Sequence, residues 1–196
     1  MINCLLLSAG LNERFGSPKA LAQLSSHTVI EHIINTLMAT SCSRIIVVLG
    51  AYAKNIEPLI LKHKRVRIVY NKDYYLGQTS SIQAGWNHID SDANGVLLLP
   101  VDCPMVQPSS INILIREFQN SLEQVTIPTF QGKKGHPPAI PIRLGPEILE
   151  LPHDQGVNSI LKRYPLQTLE INDPGIIQSF NTPEEFEELK KTKKPC

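Results

Sequence analysis

The sequence predicts a doubly wound, Rossmann-like α/β domain, in which a mostly parallel sheet carries helices on both faces. Two observations lead to this fold class. Short apolar runs, typical of strands buried on both faces, occur at residues 3–8, 44–49, 66–70 and 95–100. Segments with helical character follow them at residues 29–40, 55–62, 80–87 and 111–118. Strands that alternate with helices imply parallel pairing through right-handed crossovers.

The first elements have clear boundaries in the sequence. The strand at 3–8 enters a loop that contains Gly10, and the strand at 44–49 ends at Gly50. Between them, the helix at 29–40 repeats apolar residues every three or four positions. The pattern therefore indicates a strand, a helix and a second strand, which is the first crossover unit of the fold.

The predicted fold also indicates where a ligand would bind. In open α/β sheets, ligands bind at the carboxyl ends of the strands. The loops that begin at Ala9, Tyr70 and Pro100 should therefore share one cleft.

After the fourth strand the pattern becomes less regular. A strand is predicted at 125–129, and the Gly-, Lys- and Pro-rich stretch at 131–138 is typical of an exposed loop. Short helices are predicted at 145–151 and 158–163.

The last predicted helix has a strong start signal. Thr182 is a good N-cap, Pro183 suits the first helical position, and acidic residues follow at the positive end of the helix dipole. The helix is expected to continue over 184–194, with a basic cluster at its C-terminal end formed by Lys190, Lys191, Lys193 and Lys194.

Composition excludes several classes of protein. The 196 residues suffice for one domain, and a formal net charge of +1 argues against a nucleic-acid-binding surface. No apolar run approaches the ~20 residues that span a bilayer, and we expect neither an export signal nor a membrane anchor. The four cysteines are widely spaced, which argues against a zinc or disulfide framework and favours free thiols in the cytoplasm.

The loop after the first strand is the most informative stretch of the chain. It contains two glycines, Gly10 and Gly16, and two cations, Arg14 and Lys19. Glycines allow close backbone approach to a ligand, and the two cations can bind a polyanion such as a triphosphate. A surface loop with two solvated cations is the alternative. Neither the P-loop motif nor the GxGxxG dinucleotide motif is present.

The motif Ser8-Ala9-Gly10-x-x-x-Arg14-Phe15-Gly16-x-Pro18-Lys19 resembles the LAAGxSxRMGxPK motif of the MobA/MocA-like nucleotidyltransferases. The resemblance implies a fold of the nucleotide-diphospho-sugar transferase type. It also implies that this loop wraps an NTP, which assigns nucleotide binding to Ser8, Ala9, Gly10, Arg14 and Lys19. Lys19 and Arg14 are also expected to be catalytic.

A second segment, Gly77 to Gly85, resembles the family's G-x-x-S-S-x-x-x-G segment, which contacts the base and ribose. The resemblance assigns nucleotide binding to Gln78, Ser80 and Ser81. Helix capping by Thr79 or Ser80 is the alternative interpretation of the same residues.

Asp102 follows the fourth strand directly, where this fold binds ligands. Carboxylates bind Mg²⁺ together with phosphate oxygens. The stretch resembles the family's DxP motif, whose Asp holds the catalytic metal, so Asp102 is expected to be catalytic and to bind Mg²⁺. A role as a turn former is the alternative.

Three further motifs extend the resemblance to the second half of the chain. His136, in Gly-His-Pro, and Asp154, in Asp-Gln-Gly, are expected to bind the acceptor. Asn158 replaces an Arg of the family, which puts an acceptor-phosphate contact in doubt. Asn181, in Asn-Thr-Pro, stands where the family has an Asp near the metal, and its amide oxygen is expected to bind Mg²⁺.

The resemblance implies one nucleotidyltransferase domain over 1–196, with NTP binding mainly in 1–105 and acceptor binding mainly in 106–196. The expected reaction transfers a nucleoside monophosphate from an NTP to a phosphorylated acceptor and releases pyrophosphate. Because Ala at position 9 goes with CTP in this family, we expect CMP transfer to the molybdopterin cofactor. The resemblance also implies docking on the recipient molybdoenzyme. Alternatives are transfer to a sugar, isoprenoid or other small phosphate, and a non-catalytic molybdenum-cofactor carrier.

Overall fold

The computed structural model describes residues 1–192. Its strands are β1 (Ile2–Ser8), β2 (Gln23–Leu24), β3 (His27–Thr28), β4 (Arg44–Leu49), β5 (Val66–Tyr70), β6 (Gly95–Pro100), β7 (Val125–Phe130), β8 (Lys133–Lys134), β9 (Ala139–Pro141) and β10 (Leu166–Glu170). Its α-helices are α1 (Val29–Met38), α2 (Ala53–Ile56), α3 (Gln78–Trp86), α4 (Pro108–Asn120), α5 (Gly145–Glu150), α6 (Asn158–Leu161) and α7 (Pro183–Thr192).

The strand order of the main sheet is β10-β7-β9-β6-β1-β4-β5. The short strand β8 also belongs to this sheet and pairs with β7. The neighbours β6, β1, β4 and β5 are parallel, as are β7 and β10. Strand β9 runs antiparallel between β6 and β7. The predicted fold class, a mostly parallel sheet with helices on both faces, is therefore confirmed.

The sheet is buried on both faces because alternate side chains of each strand point to opposite sides. Leu6 of β1 packs in a cluster with apolar residues of α1, α4 and α7. Its neighbour Leu5 packs in a second cluster with residues of α3, α5 and α6. Two cores, one on each face, hold the parallel strands in place, and the strand ends are left to carry the loops.

Several elements differ from the sequence prediction. The helix expected at 55–62 is instead α2 followed by a 3-10 turn at Glu57–Leu59, where Pro58 lacks the backbone N–H that would continue an α-helix. The two-residue strands β2, β3 and β8 were not predicted, and neither were β9 and β10. β9 has only three residues, and β10 is an edge strand whose side chains are mostly exposed, so neither produces a clear apolar pattern.

The last helix begins at Pro183 as predicted, and the Glu185 backbone N–H donates to the Thr182 hydroxyl at 3.3 Å. The predicted continuation through Lys193 and Lys194 lies outside the described residues. Helix α4, with 13 residues, is the longest within 1–192, and none of the helices there is long and apolar enough to cross a bilayer.

Three cysteines, Cys4, Cys42 and Cys103, are buried free thiols. Burial raises the pKa of each thiol, most strongly for Cys4 and Cys103. These side chains are therefore inert core residues, in agreement with the prediction of free thiols. Cys196 lies outside the part of the chain that the structure describes.

Candidate active site

A cavity of about 490 Å³ opens at the carboxyl edge of the parallel strands. Residues from the loops after β1, β5 and β6 line it, together with Asn181 from the segment before α7. The prediction that the loops beginning at Ala9, Tyr70 and Pro100 share one cleft is therefore confirmed.

The strand order explains why the cavity lies here. At the carboxyl ends of β1 and β6, Leu7 pairs with Pro100. From β1 the chain crosses to β4 on one side, whereas β6 lies on the other side. The loops after β1 and β6 therefore diverge from adjacent strands and leave a crevice between them, which is the usual ligand position in a doubly wound sheet.

The loop after β1 is anchored by aromatic packing rather than by its charges. The Phe15 ring contacts the rings of Phe180, at a centroid distance of 5.3 Å, and Phe186, at 5.8 Å. At Gly10, a Cβ would meet no atom within 4 Å, so the backbone there faces open space. The loop is held at Phe15 while its glycine backbone stays accessible to a ligand.

The centre of the cavity is a cluster of two cations and two oxygen-bearing side chains. Lys19 is 7% exposed, and its Nζ lies 3.2 Å from Asp102 Oδ2 and 2.9 Å from Asn181 Oδ1. The Arg14 guanidinium donates to the same Asn181 oxygen at 3.0 Å. The structure thus brings together the four residues to which the sequence assigned catalysis and metal binding.

The segment carrying Asn181 is tied to the loop carrying Asp102. The Phe180 backbone N–H donates to the Asp102 carbonyl at 3.1 Å. The neighbouring Cys103 thiol donates to Asp102 Oδ1 at 3.5 Å. Burial, and secondly the negative charge of Asp102, raises the pKa of this thiol well above its ordinary value. Cys103 therefore stays protonated and is not a nucleophile, which agrees with the absence of a role for it in the sequence analysis.

The start of α3 forms another wall of the cavity. Gly77 has a φ of +102°, which a side-chain-bearing residue rarely adopts, and it lets the chain turn sharply into the helix. Gln78 and Ser81 line the cavity. Thr79 donates to the Gln155 carbonyl, so it does not cap the helix as the alternative interpretation proposed.

Several predicted site residues lie away from this cavity. Ser8 and Ser80 are buried and do not line it, and neither do His136 and Asp154. Burial lowers the pKa of His136, and its Nδ1 has no hydrogen-bond partner among the described residues. The roles expected for these four residues stay predictions.

Tyr74 and Tyr75 also line the cavity, although the sequence analysis did not single them out. Tyr75 is 65% exposed, which is unusual for a large aromatic side chain. The sequence does contain a signal, because two aromatic residues stand between a strand and the glycine that begins the next helix.

The chemistry of the cluster fits a hard divalent cation. Asp102 and Asn181 each place a side-chain oxygen next to the same Lys19 nitrogen. Within residues 1–192, no group of three His, Cys, Asp or Glu side chains could hold a metal ion alone. One carboxylate and one amide can hold a divalent cation only when a substrate supplies further oxygen ligands. This is the usual situation for Mg²⁺ with phosphates.

Comparison with known proteins finds one family match over most of the chain. The model of the MobA-like NTP transferase domain matches residues 4–169. A Bacillus mycoides protein named "Probable molybdenum cofactor guanylyltransferase" is 31% identical over 133 residues, which are 66% of this chain and 62% of that protein. This chain thus matches less than two thirds of the length of that relative.

Two solved structures share the fold. The Mycobacterium tuberculosis H37Rv protein Rv0371C, solved in complex with manganese, has a TM-score of 0.83 at 20% identity, with 98% of this chain and 99% of that chain covered. Molybdopterin-guanine dinucleotide biosynthesis protein A from Archaeoglobus fulgidus has a TM-score of 0.75 at 15% identity, with 97% of each chain covered. Because the family model covers most of its length, this chain belongs to the MobA-like NTP transferase family.

Proposed function

We propose that this protein transfers a nucleoside monophosphate from an NTP to a phosphorylated acceptor and releases pyrophosphate. The observation that carries the proposal is the cluster of Lys19, Arg14, Asp102 and Asn181 in the strand-end cavity. Two cations beside a carboxylate and an amide oxygen suit a triphosphate that arrives with a divalent cation. Membership of the MobA-like NTP transferase family supports the same reaction.

The reaction needs no covalent intermediate on the protein. A phosphate oxygen of the acceptor attacks the α-phosphorus of the NTP, a new P–O bond forms, and the bond to pyrophosphate breaks. Arg14 and Lys19 bind the phosphates in line with the acceptor and offset the charge that develops in the transition state. A phosphate monoester is already an anion at neutral pH, so a strong general base is not required.

The proposed cofactor is Mg²⁺, held by Asp102 and Asn181 together with oxygens of the substrate. When bound, it would neutralise negative charge on the reacting phosphates. The presence of manganese in the Mycobacterium tuberculosis structure supports a divalent cation site in proteins of this fold.

The proposed acceptor is the molybdopterin cofactor, with His136 and Asp154 on the acceptor side. The name of the Bacillus mycoides relative supports this acceptor. Delivery of the product by docking on a recipient molybdoenzyme is part of the same proposal.

CTP is the proposed donor, and GTP is the second candidate. The argument for CTP is Ala9, which lines the cavity, because Ala at this position goes with CTP in the family that the sequence resembles. The Ala9 side chain is 3% exposed and packs against Gly50, where a Cβ would approach the Ala9 Cβ to 2.9 Å. The argument for GTP is the name of the relative, a guanylyltransferase.

The test is a screen of CTP and GTP against molybdopterin, sugar phosphates and isoprenoid phosphates, with Mg²⁺ present and pyrophosphate release as the readout. We expect release only when both an NTP and molybdopterin are present. We also expect the Asp102→Ala variant to be folded and inactive. Nucleotide binding without turnover for any acceptor would contradict the proposal and favour a carrier.

The identity of the NTP donor is tested by measuring kcat/KM for CTP and for GTP in the wild type and in Ala9→Gly. One methyl in an apolar pocket discriminates by only ~1–3 kcal/mol, so the substitution should relax the preference for CTP without reversing it. A wild-type preference for GTP would overturn the cytidylyl proposal and leave nucleotidyl transfer intact.

A further inference from the structure

Asn71, directly after β5, has a buried side chain beside the start of α3. This part of α3, with Gln78 and Ser81, forms the wall of the cavity that we call the nucleotide wall. Asn71 is 5% exposed, and its backbone N–H extends the sheet by donating to the Leu49 carbonyl at 2.8 Å. Its side-chain oxygen accepts from the Asp73 backbone N–H at 3.0 Å. Its side-chain nitrogen donates to both Ser80 Oγ, at 2.9 Å, and Ser81 Oγ, at 3.0 Å. The Asn71 amide therefore has a fixed orientation, with its donors facing the two serines.

The two serines differ in what remains available to a ligand. The Ser80 hydroxyl accepts from Asn71 and has the Asp73 and Gly77 carbonyls at 2.9 and 2.8 Å as acceptors for its hydrogen. The Ser81 hydroxyl also accepts from Asn71, but within residues 1–192 the structure gives its hydrogen no protein acceptor. Ser81 lines the cavity and Ser80 does not.

We propose that Asn71 is a positioning residue that fixes the Ser81 hydroxyl as a hydrogen-bond donor to the base or ribose of the bound nucleotide. A serine hydroxyl has one hydrogen and can either donate it inward or present it to a ligand. Because Asn71 occupies the accepting side of Ser81 Oγ, the hydrogen is directed toward the cavity. This inference rests on the proposed function, since it takes the ligand to be a nucleotide.

The same geometry assigns separate roles to neighbouring residues. Ser81 contributes to nucleotide affinity, whereas Ser80 stabilises the turn that leads into α3. Cytosine and guanine both present acceptor atoms, as does ribose, so Ser81 adds affinity for the nucleoside without choosing the base.

The experiment measures binding of CTP, GTP and pyrophosphate at pH 8 to the wild type, Asn71→Asp, Ser81→Ala and the double variant. A carboxylate at position 71 keeps the side-chain size but accepts from Ser81, so the hydroxyl hydrogen turns inward. We expect nucleotide affinity to fall about three- to tenfold, the range for one lost neutral hydrogen bond. Pyrophosphate affinity should not change, because the proposed phosphate ligands Arg14 and Lys19 lie in the loop after β1.

Two controls separate the loss of the Ser81 hydrogen bond from an effect of added charge and from a structural effect of the substitution. Asn55→Asp adds the same charge at an exposed position on α2 and should bind all three ligands like the wild type. In Ser81→Ala the hydroxyl is absent, so adding Asn71→Asp should cause no further loss of nucleotide affinity. A purely structural role of Asn71 would not produce this non-additivity.

A second pair of variants tests the proposal independently of the folding of Asn71→Asp. Ser81→Ala should lose nucleotide affinity with the smaller loss of Tm, because it removes one hydrogen bond from Asn71. Ser80→Ala, which removes the bonds to Asn71 and to the Asp73 and Gly77 carbonyls, should lose more Tm and keep nucleotide affinity. The opposite pattern would overturn the proposal, as would additive effects or an equal loss of pyrophosphate binding. Binding is measured without an acceptor, so a protein that binds nucleotide but never transfers it would contradict only the proposed function.

Discussion

Lys19 is the residue on which the candidate site is built. Its buried ammonium group lies between Asp102 and Asn181, and the Phe180 ring lies 5.4 Å below it. A lysine is a movable point charge, so a triphosphate can draw it away from these oxygens and free them for a metal ion. The observed contacts of Lys19 and the proposed nucleotide complex thus use the same three side chains.

Lys19→Ala should lower kcat more than it lowers nucleotide affinity, because the charge matters most as the α-phosphate reacts. The expected loss in kcat is about 10²- to 10³-fold, as for the removal of one preorganised donor. Steady-state kinetics and equilibrium binding of the same NTP separate the two effects. Lys54→Ala, at an exposed lysine on α2, is the matched control. An unchanged kcat at saturating NTP would contradict a catalytic role.

Asn181→Asp should raise the affinity for Mn²⁺ in the absence of nucleotide by roughly tenfold, which is ~1.4 kcal/mol. The reason is charge, because wild-type Asn181 is a neutral amide and the negative charge beside Lys19 comes from Asp102. Electron paramagnetic resonance of free Mn²⁺ measures this directly. Wild-type protein should bind Mn²⁺ well only after NTP is added. Tight binding without nucleotide would show that the metal does not depend on substrate oxygens.

The cluster of Lys19, Arg14, Asp102 and Asn181 could be predicted because each residue follows a strand or stands in a recognisable motif. Which of Ser80 and Ser81 lines the cavity could not be predicted, because it depends on which side of α3 faces the cavity. That rotation is set by packing of Ile82 and Trp86 against the sheet, which sequence spacing alone does not reveal. Ser8 is similar, since its side chain at the end of β1 is buried rather than open to the cavity.

At the scale of elements, the position of α3 decides the shape of the nucleotide wall. The helix lies very close to the sheet because Gly85 has no side chain. A Cβ there would lie 2.7 Å from Val48 Cγ2 and 3.1 Å from Leu5 Cδ2. Val48 is fully buried and β-branched, so it cannot easily move aside.

Gly85→Ala should therefore destabilise the protein by ~1–3 kcal/mol through overpacking, although alanine is the better helix former. The displaced helix should also weaken nucleotide binding, because Ser81 moves with it. Chemical denaturation and nucleotide titration measure the two effects. Gly156→Ala, where a Cβ meets no atom within 4 Å, should change neither. A stabilised Gly85→Ala protein would contradict the close packing of α3.

Most elements of the parallel half could be predicted, because buried strands and amphipathic helices leave strong apolar patterns. Strand β9 could not, since Ala139, Ile140 and Pro141 form too short a run. Its antiparallel insertion between β6 and β7 arises from tertiary pairing rather than local preference. β10 could not be predicted either, because its apolar and polar residues alternate only weakly at the edge of the sheet.

For the whole molecule, the strand order creates the cavity and the loops supply its chemistry. Strand β4 lies on one side of β1 and β6 on the other, so the loops after the parallel strands β1 and β6 diverge and open the crevice. These two loops contribute Lys19 and Asp102. Asn181 reaches the same point from the end of the chain through the Phe180 contact with Asp102. The site therefore combines residues from distant parts of the sequence, which explains why these motifs belong together.

The most direct test of the account follows the phosphorus atoms of the donor. The wild-type protein is incubated with molybdopterin, Mg²⁺ and CTP that carries ³²P at either the α or the γ position, with Asp102→Ala as the control. Nucleotidyl transfer predicts that the α label enters the molybdopterin product, that the γ label appears in pyrophosphate, and that the variant forms neither. Transfer of the γ label to the acceptor, or an α label that never leaves the nucleotide, would contradict it.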